Sequence, residues 1–164
     1  MTEQQFVKDI IPLNERLSRY AWYYLKNKDD VYDVIQEVYI KLWRMKDTLE
    51  KYQSSLALAL RITRNQCLDF VRKRSKSHEL LIGDSISDPE VVSDNRSEVF
   101  EYIKKAVNKL SGVQKEVMIL KDIEGYDYNE ISGILDMDIN TIRVNISRAR
   151  KKVREMLKDL ECCR

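Results

Sequence analysis

The stretch DYNEISGILDMDINTIRVNISRARKKVREML, from Asp127 to Leu157, constrains the fold more than any other part of the chain. It predicts two helices joined by a tight turn. Asp127 and Glu130 stand at capping-box spacing, so each side chain can satisfy a free N–H at the start of the first helix. Ile131, Ile134 and Leu135 give that helix an apolar stripe. Asp136-Met137-Asp138 is the predicted turn. Asp tolerates a left-handed backbone, and Asp138 suits the N-cap of the next helix. That second helix is expected to bury Ile142, Ile146, Ala149 and Val153, at steps of three and four. Its opposite face then carries Arg143, Val144, Ser147, Arg148 and Lys151, with Lys152 beside them and Asn140 and Thr141 at the entry. A short helix, a brief turn and a longer basic helix make a helix-turn-helix, the motif whose second helix lies in a DNA major groove.

The bland alternative is a helical hairpin with a solvated basic face. Against it, the only acid between Thr141 and Lys158 is Glu155, while Arg143, Arg148, Arg150, Lys151, Lys152, Arg154 and Lys158 are all basic. Arg143 and Arg148 also fall toward the helix N-terminus, the end that reaches base edges in this motif.

The rest of the chain is expected to be helical too. A length of 164 residues allows one or two small domains. Only 4 Gly and 2 Pro accompany 34% charged and 43% hydrophobic residues, which favours an all-α protein over a β-rich one. The net charge of +2 is too small to signal nucleic acid by itself, so the uneven distribution of charge has to carry that argument. Cys67, Cys162 and Cys163 are odd in number and two are adjacent, which suits reduced thiols. With a single histidine, His78, and no CxxC pair, neither a zinc site nor any other cofactor is expected. No apolar run approaches the roughly 18 residues of a membrane span, and the opening MTEQQFVKDI has no signal-peptide pattern, so a cytoplasmic protein is expected.

From the N-terminus, Thr2 and Gln5 form a possible capping box. Phe6, Ile10, Leu13, Leu17, Tyr20, Ala21 and Tyr24 form a helical stripe that Pro12 should kink or restart. Lys26 to Lys28 reads as a turn. A helix is predicted from Asp29 to Trp43, with Val31, Val34, Ile35, Val38 and Leu42 facing a core. Asp33, Gln36, Glu37, Ile40, Lys41 and Arg44 take the other face, and the pattern alone leaves solvent and a protein partner equally open. Lys46 to Ser54 reads as a polar loop. A helix from Ser55 to Arg74 carries Arg61, Arg64, Arg72, Lys73 and Arg74, with Lys76 just beyond, against Asp69 alone. Asp69 and Arg72 are at pairing distance, and the basic cluster meets either solvent or phosphate.

Composition then reverses. Between Glu79 and Glu101 the only base is Arg96, and Gly83, Pro89 and several serines fall among the acids, as in a linker. The expected division is a domain over 1–75, a flexible acidic linker over 76–96, and a second domain over 97–164. In the second domain Phe100, Ile103, Val107 and Leu110 should face inward from a helix over Ser97 to Leu110. Ser111 and Gln114 suggest another capping box, opening a helix through Val117, Leu120 and Ile123 that Gly125 ends.

Three segments in order carry a resemblance: DVIQEVYIKLW, RITRNQCLDFVRKR, and LSGVQKEVMILKDIEGYDYNEISGILDMDINTIRVNISRARKKVREML. Together they resemble the bacterial RNA polymerase sigma factors of the small, two-domain extracytoplasmic-function group of the sigma-70 family. The likeness covers nearly the whole chain apart from the linker and the last residues. It implies that Asp33, Gln36, Glu37 and Ile40 meet the clamp helices of core RNA polymerase. It implies that the Lys46–Ser54 loop, through Asp47 and Lys51, and the helix bearing Arg61, Arg64, Asn65, Arg72 and Arg74 melt and read the minus-ten promoter element. A base flipped out of the stack, at a cost of a few kcal/mol, would sit in that loop. Asn140, Thr141, Arg143, Val144, Ser147, Arg148, Lys151 and Lys152 would then read the minus-thirty-five element. The two elements lie on the order of 50 Å apart, and a linker of roughly 20 residues reaches at most about 70 Å. An anti-sigma protein is implied as a further partner.

The chain departs from the family pattern at Leu58-Ala59-Leu60, where many members have an aromatic residue, and at Asp136, where Gly is common. Two rival readings come from other classes. A helix-turn-helix repressor would have no need of the Asp-x-x-Gln-Glu helix. An enzyme would need a catalytic set that the lone His78 and the missing Gly-rich phosphate loop do not supply.

Overall fold

The structure is a computed structural model that describes residues 1–79 and 98–161. Every element among the described residues is helical. The chain divides into two compact units, Met1–Glu90 and Val91–Arg164. Residues 80–97, which include most of the expected linker, lie outside the described residues, as do Cys162 and Cys163 and the side chain of Phe100.

The N-terminal unit begins with α1 (Glu3–Asp9), opened by the reciprocal Thr2–Gln5 capping box. Pro12 then stands in a single 3-10 turn, Ile11–Leu13, between α1 and α2 (Asn14–Leu25). Lys26 takes a left-handed backbone, φ 50°, and ends α2. Asn27 caps α3 (Lys28–Arg44), its Oδ1 accepting from the Asp29 and Asp30 N–H groups. α4 (Ser55–Glu79) completes a bundle in which α2, α3 and α4 pack on one another. α4 continues past Arg74 to Glu79, into the first residues of the expected linker.

The core follows the predicted stripes. Phe6, Ile10, Leu17, Tyr20 and Ala21 are buried, with Val31, Val34, Ile35, Val38 and Leu42 of α3. Cys67 joins them, and burial pushes its thiol up to about 12, so it stays protonated. One expectation needs correction. Lys46–Ser54 is not simply a polar loop, because Lys46–Lys51 forms a 3-10 helix with Leu49 fully buried. Its one apolar side chain anchors it, so the polar residues around it are held in place.

The C-terminal unit holds α5 (Glu98–Asn108), α6 (Gly112–Met118), α7 (Tyr128–Leu135) and α8 (Ile139–Glu161). α8 packs against α6, α5 and α7. Here a second expectation fails. Ser111 precedes α6 with extended backbone, but its side chain makes no capping bond, and the Gln114 Oε1 is buried without a partner. Spacing alone does not close a capping box; both side chains must turn back to the backbone. α6 also gives way to a π-helical turn at Ile119–Ile123, closed by Glu124 N–H to Ile119 O at 2.9 Å. The extra residue per turn rotates the face that follows, so Leu120 is buried while Ile123 is 49% exposed. Gly125, at φ 80°, ends the segment as expected.

Candidate nucleic-acid interface

The helix-turn-helix forms as its sequence predicts. Asp127 Oδ1 accepts from the Glu130 N–H and Glu130 Oε2 from the Asp127 N–H, both at 2.8 Å. Asp136 is left-handed, with φ 56° and ψ 47°, and turns the chain. Ser132 Oγ donates to the Met137 carbonyl at 2.6 Å and closes the turn from inside. Asp138 Oδ2 then accepts from the Asn140 and Thr141 N–H groups at 2.9 and 3.2 Å, satisfying the first turn of α8.

Ile142, Ile146, Ala149 and Val153 are buried against the unit's core. The helical period therefore pushes Asn140, Thr141, Arg143, Val144, Ser147, Arg148, Lys151 and Lys152 outward, and all eight are exposed. This is a continuous face of mixed donors, one apolar side chain and four cations. Arginine forks and hydroxyls are the groups that hydrogen-bond to base edges and phosphates, and an exposed valine can meet a thymine methyl.

Four residues absent from the expected set, Asp122, Arg150, Tyr128 and Lys121, also build this unit. Asp122, in the π-helical turn, accepts from Arg150 twice, at 2.9 Å from Nε and 2.6 Å from a terminal nitrogen. That hydrogen-bonded pair raises the Arg150 pKa above its ordinary value. Tyr128 lies under both Lys121 and Arg143. The separation of 28 positions between Asp122 and Arg150 leaves no periodic signal from which the pair could have been read.

In the N-terminal unit, Asp33, Gln36, Glu37 and Ile40 are all exposed on one side of α3, away from the buried stripe. Ile40 is 43% exposed, an apolar side chain in a charged row. α3 and α4 run antiparallel. Lys41 Nζ donates to Gln66 Oε1 at 2.6 Å near one end, and Arg74 pairs with Asp30 at 2.8 Å near the other.

At the Lys41 end a cleft of about 580 Å³ opens between α3, the two residues that flank the 3-10 segment, and α4. Arg61, Ile62 and Asn65 line one wall, Arg44, Met45 and Tyr52 the other, and Leu58 adds apolar surface. Two expected minus-ten residues, Arg61 and Asn65, thus meet in one concavity. Asp47 and Lys51 are exposed on the 3-10 segment nearby in sequence but do not line the cleft. Arg64 is half-buried on α4. Arg72 pairs with Asp69 at 3.5 Å, and Arg74 is drawn to Asp30, eleven residues and so about 16 Å along α3 from Lys41. The cleft therefore does not gather Arg72 and Arg74.

No helix among the described residues is long and apolar enough to cross a membrane. The family model for sigma-70 region 2 matches residues 13–77, and that for sigma-70 region 4 matches residues 100–153. The chain is 26% identical over 151 residues to ECF RNA polymerase sigma factor SigE of Mycolicibacterium smegmatis, covering 87% of this chain and 58% of that protein. It is 24% identical over 151 residues to ECF RNA polymerase sigma factor SigX of Bacillus subtilis, covering 87% and 78%. Among solved structures it matches the sigma factor RpoE of Bartonella quintana, in complex with the anti-sigma factor NepR, with a TM-score of 0.79 and 28% identity over 94% of this chain and 98% of that one. A match to CnrH in complex with the cytosolic domain of CnrY, at 21% identity and a TM-score of 0.67, supports the fold.

Proposed function

The chain belongs to the sigma-70 family, in its extracytoplasmic-function group, and on that premise we propose that it binds core RNA polymerase, directs it to particular promoters and helps open the minus-ten element. One observation carries this reading. A helical N-terminal unit with an exposed Asp33–Gln36–Glu37–Ile40 row and a helix-turn-helix unit with a basic outer face stand in one chain, in the order of regions 2 and 4. A repressor needs only the second.

Core polymerase is the partner of the α3 row, and residues 1–75 form the domain that carries it. The cleft beside Asn65 accepts a base leaving the stack. Its polar wall offers donors to a base edge, and Leu58, Ile62 and Met45 offer apolar contact to the ring. Asp47, Lys51 and Arg64 flank this site along the displaced strand. Arg72 and Arg74 each hold a carboxylate through one terminal nitrogen and keep other exposed N–H donors for phosphates. Residues 97–164 read the minus-thirty-five element through the outer face of α8, and residues 76–96 join the two domains. The protein works in the cytoplasm and has no catalysis of its own; the bond-making centre belongs to the polymerase. An anti-sigma protein is a fitting regulator, since the similar RpoE structure holds the anti-sigma factor NepR.

Co-purification with core polymerase, followed by transcription from a promoter library, tests the reading. Core plus this protein should initiate at a subset of promoters on which core alone is silent. Tight unaided binding to duplex operators, with no affinity for core, would overturn it in favour of a repressor.

A further inference from the structure

Tyr128 is the first residue of α7, the helix that precedes the turn, and is half-buried. Its ring carries two cations. The Lys121 Nζ lies 4.7 Å from the ring centroid and the Arg143 guanidinium carbon 5.2 Å. Lys121 is itself anchored, its Nζ donating to the Tyr126 carbonyl at 3.2 Å. The backbone under the ring is anchored as well, since the Asp127–Glu130 capping box closes over the start of α7. The ring is thus set by its own unit. Arg143 is exposed, and among the described residues no ion pair or hydrogen bond occupies its N–H edges. Among the described residues, Arg148, about one turn and a half further along α8, has no aromatic ring beside it.

We infer that Tyr128 is a positioning residue for sequence reading, its ring holding the Arg143 guanidinium ready for the major groove. A guanidinium attracted to a ring face keeps its in-plane donors free, and those are the groups that pair with guanine O6 and N7. An arginine on an exposed helix face otherwise loses its rotamer freedom only when it meets the base, which weakens the contact. Holding it in advance moves part of that loss into folding. The inference rests on Arg143 reading a base pair, as proposed above.

The test uses holoenzyme assembled from the full chain and core polymerase, selected on a randomised duplex pool that is sequenced before and after binding. Arg143→Ala should flatten preference at one base-pair position. Tyr128→Leu should reduce the enrichment ratio at that same position by about two- to fivefold. It should leave the position that Arg148→Ala flattens untouched, and Tyr128→Phe, which keeps the ring, should restore full preference. Tyr128→Leu combined with Arg143→Ala should be no worse at that position than Arg143→Ala alone. If Tyr128→Leu folds poorly, Tyr128→Gln removes the ring with a good helix former. Should ring removal leave the Arg143 position unchanged, or weaken all positions equally, the positioning role is wrong while Arg143 remains a reader. Should Arg143→Ala itself change no position, the reading of Arg143 falls and the inference with it.

Discussion

The Asp122–Arg150 pair gives the sharpest test of how the C-terminal unit is held. Its perturbation is a double-mutant cycle of Asp122→Ala, Arg150→Ala and both together. Exposed ion pairs couple by about 0.2–1 kcal/mol, because water screens them and both side chains lose entropy. This pair belongs at the upper end for two reasons. It is bidentate, with both bonds at 2.9 Å or less. The Asp122 side chain is only 27% exposed, although that of Arg150 is 47%. The expected coupling is therefore about 1 kcal/mol, well short of the cost of breaking a buried pair. In a unit this small, a loss of that size lowers Tm by roughly 4–8 °C. Thermal unfolding of the four proteins reads it, with the C-terminal transition followed separately. The coupling should weaken in about 1 M salt, where the Debye length falls to about 3 Å. The raised Arg150 pKa means that its stabilisation is complete across the neutral range and is lost only as pH rises through the guanidinium range. The arginine thus gives no pH dependence between about pH 6 and 9. A coupling under about 0.2 kcal/mol would show that the π-helical turn is held by packing alone.

Gln36→Ala combined with Glu37→Lys should weaken core polymerase binding in a pull-down while changing stability by under about 0.5 kcal/mol, since both side chains face solvent; unchanged core affinity would take α3 out of the interface. Asn65→Ala, and substitutions in 47–53 that spare Leu49, should impair strand opening by permanganate footprinting more than initial recruitment. Leu49→Ala should instead cost about 2–5 kcal/mol of stability, because that side chain is fully buried. Arg148→Ala should lose preference at particular minus-thirty-five base pairs, whereas Lys151→Ala or Lys152→Ala should weaken all sequences alike and lower the salt slope by about one; a fallen slope with intact preference in Arg148→Ala would make that arginine a phosphate contact.

Much of this protein was legible because its signals are local. A capping box spans four residues and a buried stripe repeats every three or four, so Asp127–Glu130, Thr2–Gln5 and the α3 and α8 stripes could be read directly. The same periodicity fixed the outer faces, because burying Ile142, Ile146, Ala149 and Val153 leaves Arg143, Arg148 and Lys151 nowhere else to go. Local spacing misled where geometry had a second choice. Ser111 and Gln114 have the spacing of a capping box without its bonds, and the π-helical turn moved Ile123 out of a register that a regular helix would have kept.

What only the tertiary structure decided are the partnerships of residues distant in sequence. Arg74 with Asp30, Lys41 with Gln66, Arg150 with Asp122 and Arg143 with Tyr128 span from 15 to 44 positions. Arg150 and Arg148 look alike in sequence, two cations on one basic helix. The fold gives one a carboxylate and leaves the other on the exposed face proposed to read DNA. Helical periodicity sets the direction in which a side chain leaves its own helix. The charge or ring it meets there depends on how neighbouring helices pack, and no local pattern in the sequence encodes that.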